Sequence, residues 1–228
     1  MDPMLFLYIA LTVGVYAASR RLATSFPSPW TTPVFFSTTV IIAVLLAAGI
    51  DYQRYAPAKE LMTLLLGPAT VALAVPIYRN RHILSAHAVP ARAGIVLGSA
   101  ATLLAVLGLS NVFSFGADLT TSMSVKSVTA PIAIELASRL KGNPALAASF
   151  VIATGMIGAM LGPWMLTRAG IVSPIARGLA LGTISHGQGT AQALTEGSLQ
   201  GAMAGIAMGL SAILTSFVLP LVIDALLY

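Results

Sequence analysis

The chain has no cysteine in its 228 residues, and charged residues make up only 8% of it. The first absence excludes disulfides, thiolate metal sites and thiol catalysis. The second excludes an ordinary soluble surface, which carries about 25% charge. Only seven carboxylates and three histidines are present, and none is spaced for metal ligation. No nucleophile–base pair is legible either. The expectation is therefore a protein that is not an enzyme and needs no catalytic residue, metal or cofactor.

Apolar residues dominate instead, at 57%, with a mean hydropathy of +0.90. The excess of 12 Lys+Arg over 7 Asp+Glu gives a net charge of +5. The basic residues stand singly or in pairs at the ends of apolar runs, as cytoplasmic anchors do, so nucleic acid is not an expected partner. The N-terminal Met1-Asp2-Pro3 lacks a basic n-region, and Arg20-Arg21 follows the first apolar run. That run is read as a retained span with its N-terminus outside.

A spanning helix needs about 20 apolar residues. Met4 to Ser19, Pro33 to Ile50, Leu61 to Tyr78, Ala93 to Phe115, Pro144 to Leu166 and Ser198 to Leu227 meet or approach that length. Two polar, Gly- or Pro-broken segments at membrane depth, residues 117–140 and 174–195, complete the set. The expected fold is an all-α polytopic membrane protein in a cell (inner) membrane, with about eight membrane segments and both termini outside. Arg20, Arg21, Arg79, Arg81 and Arg92 fall in the cytoplasm. An inward crossing of residues 128–140 would carry Arg139 and Lys141 there as well, leaving Arg168 and Arg177 outside as exceptions.

An internal repeat is legible. Thr31-Thr32-Pro33, Leu66-Gly67-Pro68, Ala91-Arg92 and Leu97-Gly98-Ser99 are followed in the same order by Thr129-Ala130-Pro131, Leu161-Gly162-Pro163, Ala176-Arg177 and Leu181-Gly182-Thr183. Three membrane segments per unit would make the repeat inverted, as in many secondary transporters. The expected organisation is an N-terminal span (1–27), a first repeat (28–116), a second repeat with the broken segments (117–197) and a C-terminal span (198–228).

Irregular polar backbone survives in lipid only where protein or water satisfies it, and a pair of such segments points to a solute site. In the first, Pro131 marks a half-helix start with Thr129 as its cap. The free N–H groups there favour an anion, and Lys126, Ser127 and Thr129 add a charge and hydroxyls. Three readings of Lys126 stay open: an anion ligand, an ion pair with Glu135 or Asp118, or a side chain that snorkels to the surface. Glu135 is correspondingly either a proton carrier or a counter-ion. In the second segment Gly187 and Gly189 allow a backbone break and Thr190 can cap the helix beyond it. His186 is either a proton-coupling or solute-binding group or a neutral tie between helices. Gly201, Gly205 and Gly209 form a small-residue face suited to helix packing.

Lys126-Ser127-Val128-Thr129-Ala130-Pro131-Ile132-Ala133 and His186-Gly187-Gln188-Gly189-Thr190-Ala191 resemble the two signature stretches of the LrgB/CidB family, and Leu66-Gly67-Pro68 and Leu161-Gly162-Pro163 match as well. The similarity covers nearly the whole chain. Val125, Ala130 and Gln188 depart from the usual Pro, Thr and small aliphatic residue. The resemblance implies either a carrier of small 2-hydroxy or 2-keto monocarboxylates (glycolate, glycerate, lactate or pyruvate) or an antiholin-like or holin-like membrane protein that affects murein hydrolase activity and lysis. Its implied partners are a small carboxylate anion, the lipid bilayer and an LrgA/CidA-type membrane protein, and a homo-oligomer is expected. The expected solute site comprises Lys126, Ser127, Thr129, His186, Gly187, Gly189 and Thr190, with Glu135 or His186 in proton coupling.

Overall fold

The computed structural model describes residues 3–26, 28–65, 68, 71, 72 and 74–227, and every regular element among them is helical. In chain order these are α1 (Pro3–Ser25), a 3-10 turn (Pro29–Thr31), α2 (Pro33–Ala47), α3 (Tyr52–Leu64), α4 (Ala74–Arg79), α5 (Arg81–Ala86), α6 (Ala88–Val112), α7 (Ala117–Ser124), α8 (Ala130–Arg139), α9 (Pro144–Arg168), α10 (Pro174–Glu196) and α11 (Ser198–Leu227). Four of them, α1, α6, α9 and α11, are long and apolar enough to cross a membrane. The expected third span, Leu61 to Tyr78, is described only in part, and Leu66 and Gly67 of the repeat motif lie outside the described residues.

Helix starts follow local chemistry. Pro33, Pro144 and Pro174 occupy first turns, where their missing N–H leaves nothing unpaired. Asn143 Oδ1 accepts from the N–H groups of Ala145 and Leu146 at 2.9 and 3.2 Å. Asp51 Oδ1 caps Gln53 N at 2.7 Å.

The chain divides into two compact units, Met1–Ala74 and Val75–Tyr228. In the first, buried Ser19 of α1 donates to Pro33 O at 3.3 Å, and Thr12 Oγ1 lies 2.9 Å from Tyr55 Oη. These contacts bring the start of α2 and the first turn of α3 back onto α1.

The second unit carries the polar segments, and close contacts give its helix directions. Hypothetical Cβ atoms on Gly94 and Gly98 of α6 would lie 3.8 Å from Leu179 and 3.2 Å from Thr183 of α10. Those on Gly178 and Gly182 of α10 would strike Gln200 O and Ala204 O of α11. Residue numbers rise together in both pairs, so α6, the first part of α10 and α11 run parallel. Against α9 the numbers run oppositely, with Gly155 at His186, Gly158 at Ser185 and Gly162 at Leu181. Thus α9 is antiparallel to the other three.

The polar segments do not cross. In a straight helix Arg177 and Glu196, 19 residues apart, would be separated by about 28 Å. Instead Arg177 Nε donates to Glu196 Oε2 at 2.7 Å and Nη2 to Oε1 at 2.8 Å. Gly189 packs on Leu181 O, and Leu181 shares a buried cluster with Ala193. α10 is therefore a hairpin of two short helical arms, residues 174–185 and 187–196, folded at His186, whose φ of 41° and ψ of −128° break the helix.

The segment 117–140 folds back in the same way. Asn143 N–H donates to Ser122 Oγ at 2.7 Å, and Gly142 lies against Thr121 and Ser122. Hairpin 1 (α7, a bend at 125–129, and α8) starts where α6 ends. Hairpin 2 (α10) starts where α9 ends, on the opposite side of the unit.

This corrects the expected crossing of residues 128–140. Arg139 and Lys141 return to the end from which hairpin 1 began, whereas Arg92, Arg168 and Arg177 share the other end. The exceptional placement of Arg168 and Arg177 thereby disappears: a re-entrant segment does not change sides, so the residues from the end of hairpin 1 to the start of hairpin 2 are displaced by one crossing.

Candidate functional site

The tip of hairpin 1 contains Lys126, Ser127 and Thr129. Lys126 N–H donates to Met123 O and Val128 N–H to Val125 O, so the bend is a pair of tight turns. Helix α8 then begins at Ala130 with Pro131 in its first turn, as expected. Thr129 is its N-cap residue by backbone position, yet its side chain makes no capping bond. The orphan N–H groups of the first turn are consequently unspent by a hydroxyl. Lys126 is half-buried, and its Nζ donates to the buried Ser127 Oγ at 3.3 Å.

The expected ion-pair alternatives are not formed. The ion pairs among the described residues are Arg139–Glu135 and Arg177–Glu196. Glu135 bonds Arg139 one helical turn away at 2.6 Å, with both side chains mostly exposed (62% and 74%). Asp118 contributes its backbone carbonyl to Ser122 Oγ.

The tip of hairpin 2 is His186, 5% exposed. Its Nε2 lies 3.0 Å from Val151 O of α9. A carbonyl only accepts, so the proton is on Nε2. The bend sits one residue before the expected glycines: Gly187 is exposed with open space beside it, while Gly189 makes the close approach to Leu181 O. Thr190 caps nothing and instead donates back to His186 O at 2.8 Å, tying the returning arm to the bend. A positive φ at a non-glycine residue is a strained arrangement held by its surroundings. Here the ring bond to Val151 and the Thr190 bond hold it.

Sequence reasoning missed the residues that seat this tip. A Cβ on Gly155 would lie 2.6 Å from His186 Cε1 and 2.7 Å from Gln188 Oε1, and one on Gly158 would overlap Ser185 Oγ. The stripe Gly155, Gly158, Gly162 recurs at helical spacing and was a legible signal. Gln188 Oε1 is buried without a hydrogen-bond partner among the described residues.

Both tips reach the same stretch of α9. Val125 and Val128 of tip 1 share a buried cluster with Val151, the residue that receives the His186 bond. Among the described residues no hydrogen bond joins Lys126 or Ser127 to His186 or Thr190, and what the tips share is Val151, by apolar packing from tip 1 and by the His186 bond from tip 2.

A cavity of about 110 Å³ opens beside tip 1, between α6 and α11, with Ser99, Thr102, Ser124, Ser127 and Thr215 as its polar lining. Ser99 Oγ and Ser211 Oγ lie 3.1 Å apart across its edge. Only Ser127 of these was a sequence candidate. Isolated Ser and Thr residues within apolar helices give no local signal of which side they face.

Apolar helices of membrane-crossing length, with two hairpins inserted between them from opposite ends and polar groups at their tips, define an all-helical polytopic membrane protein. The chain matches the model of the LrgB-like family over residues 12–225 and belongs to that family. It is 39% identical over 215 residues to the uncharacterized protein YxaC of Bacillus subtilis, covering 94% of each chain. It is 33% identical over 217 residues to the holin-like protein CidB of Staphylococcus aureus and 31% identical to that of Staphylococcus epidermidis, covering 95% of each chain in both cases. No solved structure matches.

Proposed function

We propose that the chain is a secondary carrier of small 2-hydroxy or 2-keto monocarboxylates, of the glycolate, glycerate, lactate or pyruvate type, in the cell membrane. The observation that carries this reading is the pair of opposed hairpins whose tips meet at Val151. The unit of α6 with hairpin 1 and the unit of α9 with hairpin 2 run in opposite directions. Such inverted units with broken helices at mid-depth are the architecture of carriers that work by alternating access. The start of α8 offers N–H groups and a positive dipole end, and Lys126 a full charge, all suited to a carboxylate. Hairpin 2 offers His186, Gly187, Gly189 and Thr190 at the facing tip. A coupled proton would reside on His186 rather than on Glu135, whose side chain is already paired and exposed. By the positive-inside rule the end bearing Arg92, Arg168 and Arg177 faces the cytoplasm.

The similarity to holin-like CidB proteins favours a second reading, a holin-like membrane protein, for which the family resemblance implies an effect on lysis and an LrgA/CidA-type partner. The two readings separate in proteoliposomes of the pure protein. Saturable uptake of glycolate, glycerate, lactate or pyruvate, weakened about 10- to 150-fold in apparent affinity by Lys126→Gln, supports the carrier. Dye leakage without uptake of any acid supports the holin-like reading.

A further inference from the structure

The cavity beside tip 1 is layered in polarity. Its floor is buried and hydroxylated, with Ser99, Ser124 and Ser127 all under 10% exposed, whereas Val96 and Val218 at its rim are 49% and 38% exposed. Donor accounting sharpens the contrast. Ser124 Oγ–H is spent on Thr120 O and Thr102 Oγ1–H on Ser99 O, each at 2.8 Å. Ser127 Oγ accepts from Lys126 and keeps its own proton, and the Ser99–Ser211 pair uses one of its two protons internally. Ser127 and the Ser99–Ser211 pair therefore leave donors at the floor, and Lys126, which does not line the cavity, holds its ammonium group 3.3 Å from Ser127 Oγ. The half-buried Thr215 adds one hydroxyl to the α11 wall, and the exposed rim is hydrocarbon. A few convergent polar groups in an apolar recess make a small-molecule site that fixes its guest's orientation.

We infer that this cavity binds a short monocarboxylate with a plain alkyl tail. The carboxylate sits on Ser127, whose hydroxyl oxygen accepts from the Lys126 ammonium, and the tail runs along Leu103 and Val218, which set the preferred chain length. The inference rests on the carrier reading for what the bound acid does next, though binding itself does not require transport. Each methylene placed against the rim strengthens binding about fourfold until the tail leaves the cavity. A second carboxylate on the tail meets no cation in this lining and weakens it. The expected order is glycolate below lactate below 2-hydroxybutyrate, with the dicarboxylate malate below 2-hydroxybutyrate.

The test titrates that series, extended to 2-hydroxyoctanoate, into the full chain in detergent. It reads ligand-dependent thermal stabilisation and, in parallel, proteoliposome uptake. Ser127→Ala is expected to weaken every acid by a similar factor of roughly tenfold or more. Val218→Ala, at the exposed rim where folding is least at risk, is expected to flatten the methylene gain, and Leu103→Ala to move the optimum to longer acids. Binding in this order without uptake upholds the cavity assignment and removes the carrier reading. Uptake whose order ignores Val218→Ala and Leu103→Ala keeps the carrier and overturns the cavity assignment. Absence of binding by every acid overturns the assignment, as does malate binding as well as 2-hydroxybutyrate. So does affinity that climbs through 2-hydroxyoctanoate and ignores Ser127→Ala, which would identify a slot for a lipid acyl chain.

Discussion

Breaking the ion pair at the base of hairpin 2 tests the fold most directly. Arg177 and Glu196 side chains are 13% and 16% exposed and form a two-pronged pair. Arg177 also donates to Thr167 Oγ1 at 3.1 Å, Ile171 O at 3.0 Å and Pro163 O at 3.2 Å. Removing one partner of a buried pair costs about 3–5 kcal/mol, chiefly because the other charge is left unpaired. The two substitutions are therefore unequal. Glu196→Gln leaves the guanidinium on three protein oxygens and is expected to cost about 2 kcal/mol, near the value of a charged hydrogen bond. Arg177→Gln leaves the carboxylate without its donor and severs the tie to α9, and about 3–5 kcal/mol is expected. The double variant Arg177→Met, Glu196→Leu removes both charges and should recover much of that loss. Thermal unfolding in detergent reads these values, at roughly 2–4 °C per kcal/mol for a chain of this size. In a straight helix the two positions would be too far apart to couple. Additivity within about 0.5 kcal/mol would therefore refute the hairpin.

Single cysteines at Arg92 and Arg177 should label from one side of the membrane and a cysteine at Lys141 from the other, and labelling of positions 92 and 177 from opposite sides would restore a crossing at one hairpin. Gly158→Ala, which places a Cβ on Ser185 Oγ, should cost about 1–3 kcal/mol in thermal unfolding, whereas Gly209→Ala, with open space around it, should be neutral or stabilising. Adding Glu135→Gln to Lys126→Gln should not rescue uptake, since Glu135 pairs with Arg139; recovery to near wild-type uptake would show that Lys126 and Glu135 compensate each other.

Hydropathy placed α1, α2, α6, α9 and α11 within a few residues because burial in lipid demands an apolar run of set length whatever the partners are. The start of α8 was legible for a local reason, since Thr129 and Pro131 act within one turn. The approximate position of the second break was legible too. Its residue was not: glycines only permit an unusual φ, and the bend moved to His186 because Val151 O and Thr190 hold its side chain and carbonyl.

The sequence by itself determined an all-helical membrane protein with two polar interruptions, because composition and local stereochemistry act on each segment alone. Only the tertiary structure decided that those interruptions turn back. A polar helix with a break in it reads the same whether it continues or reverses. The choice rests on contacts between residues distant in the chain, Arg177 with Glu196, Ser122 with Asn143 and Gly155 with His186. Those contacts also set which arginines share an end of the second unit and which hydroxyls face one cavity.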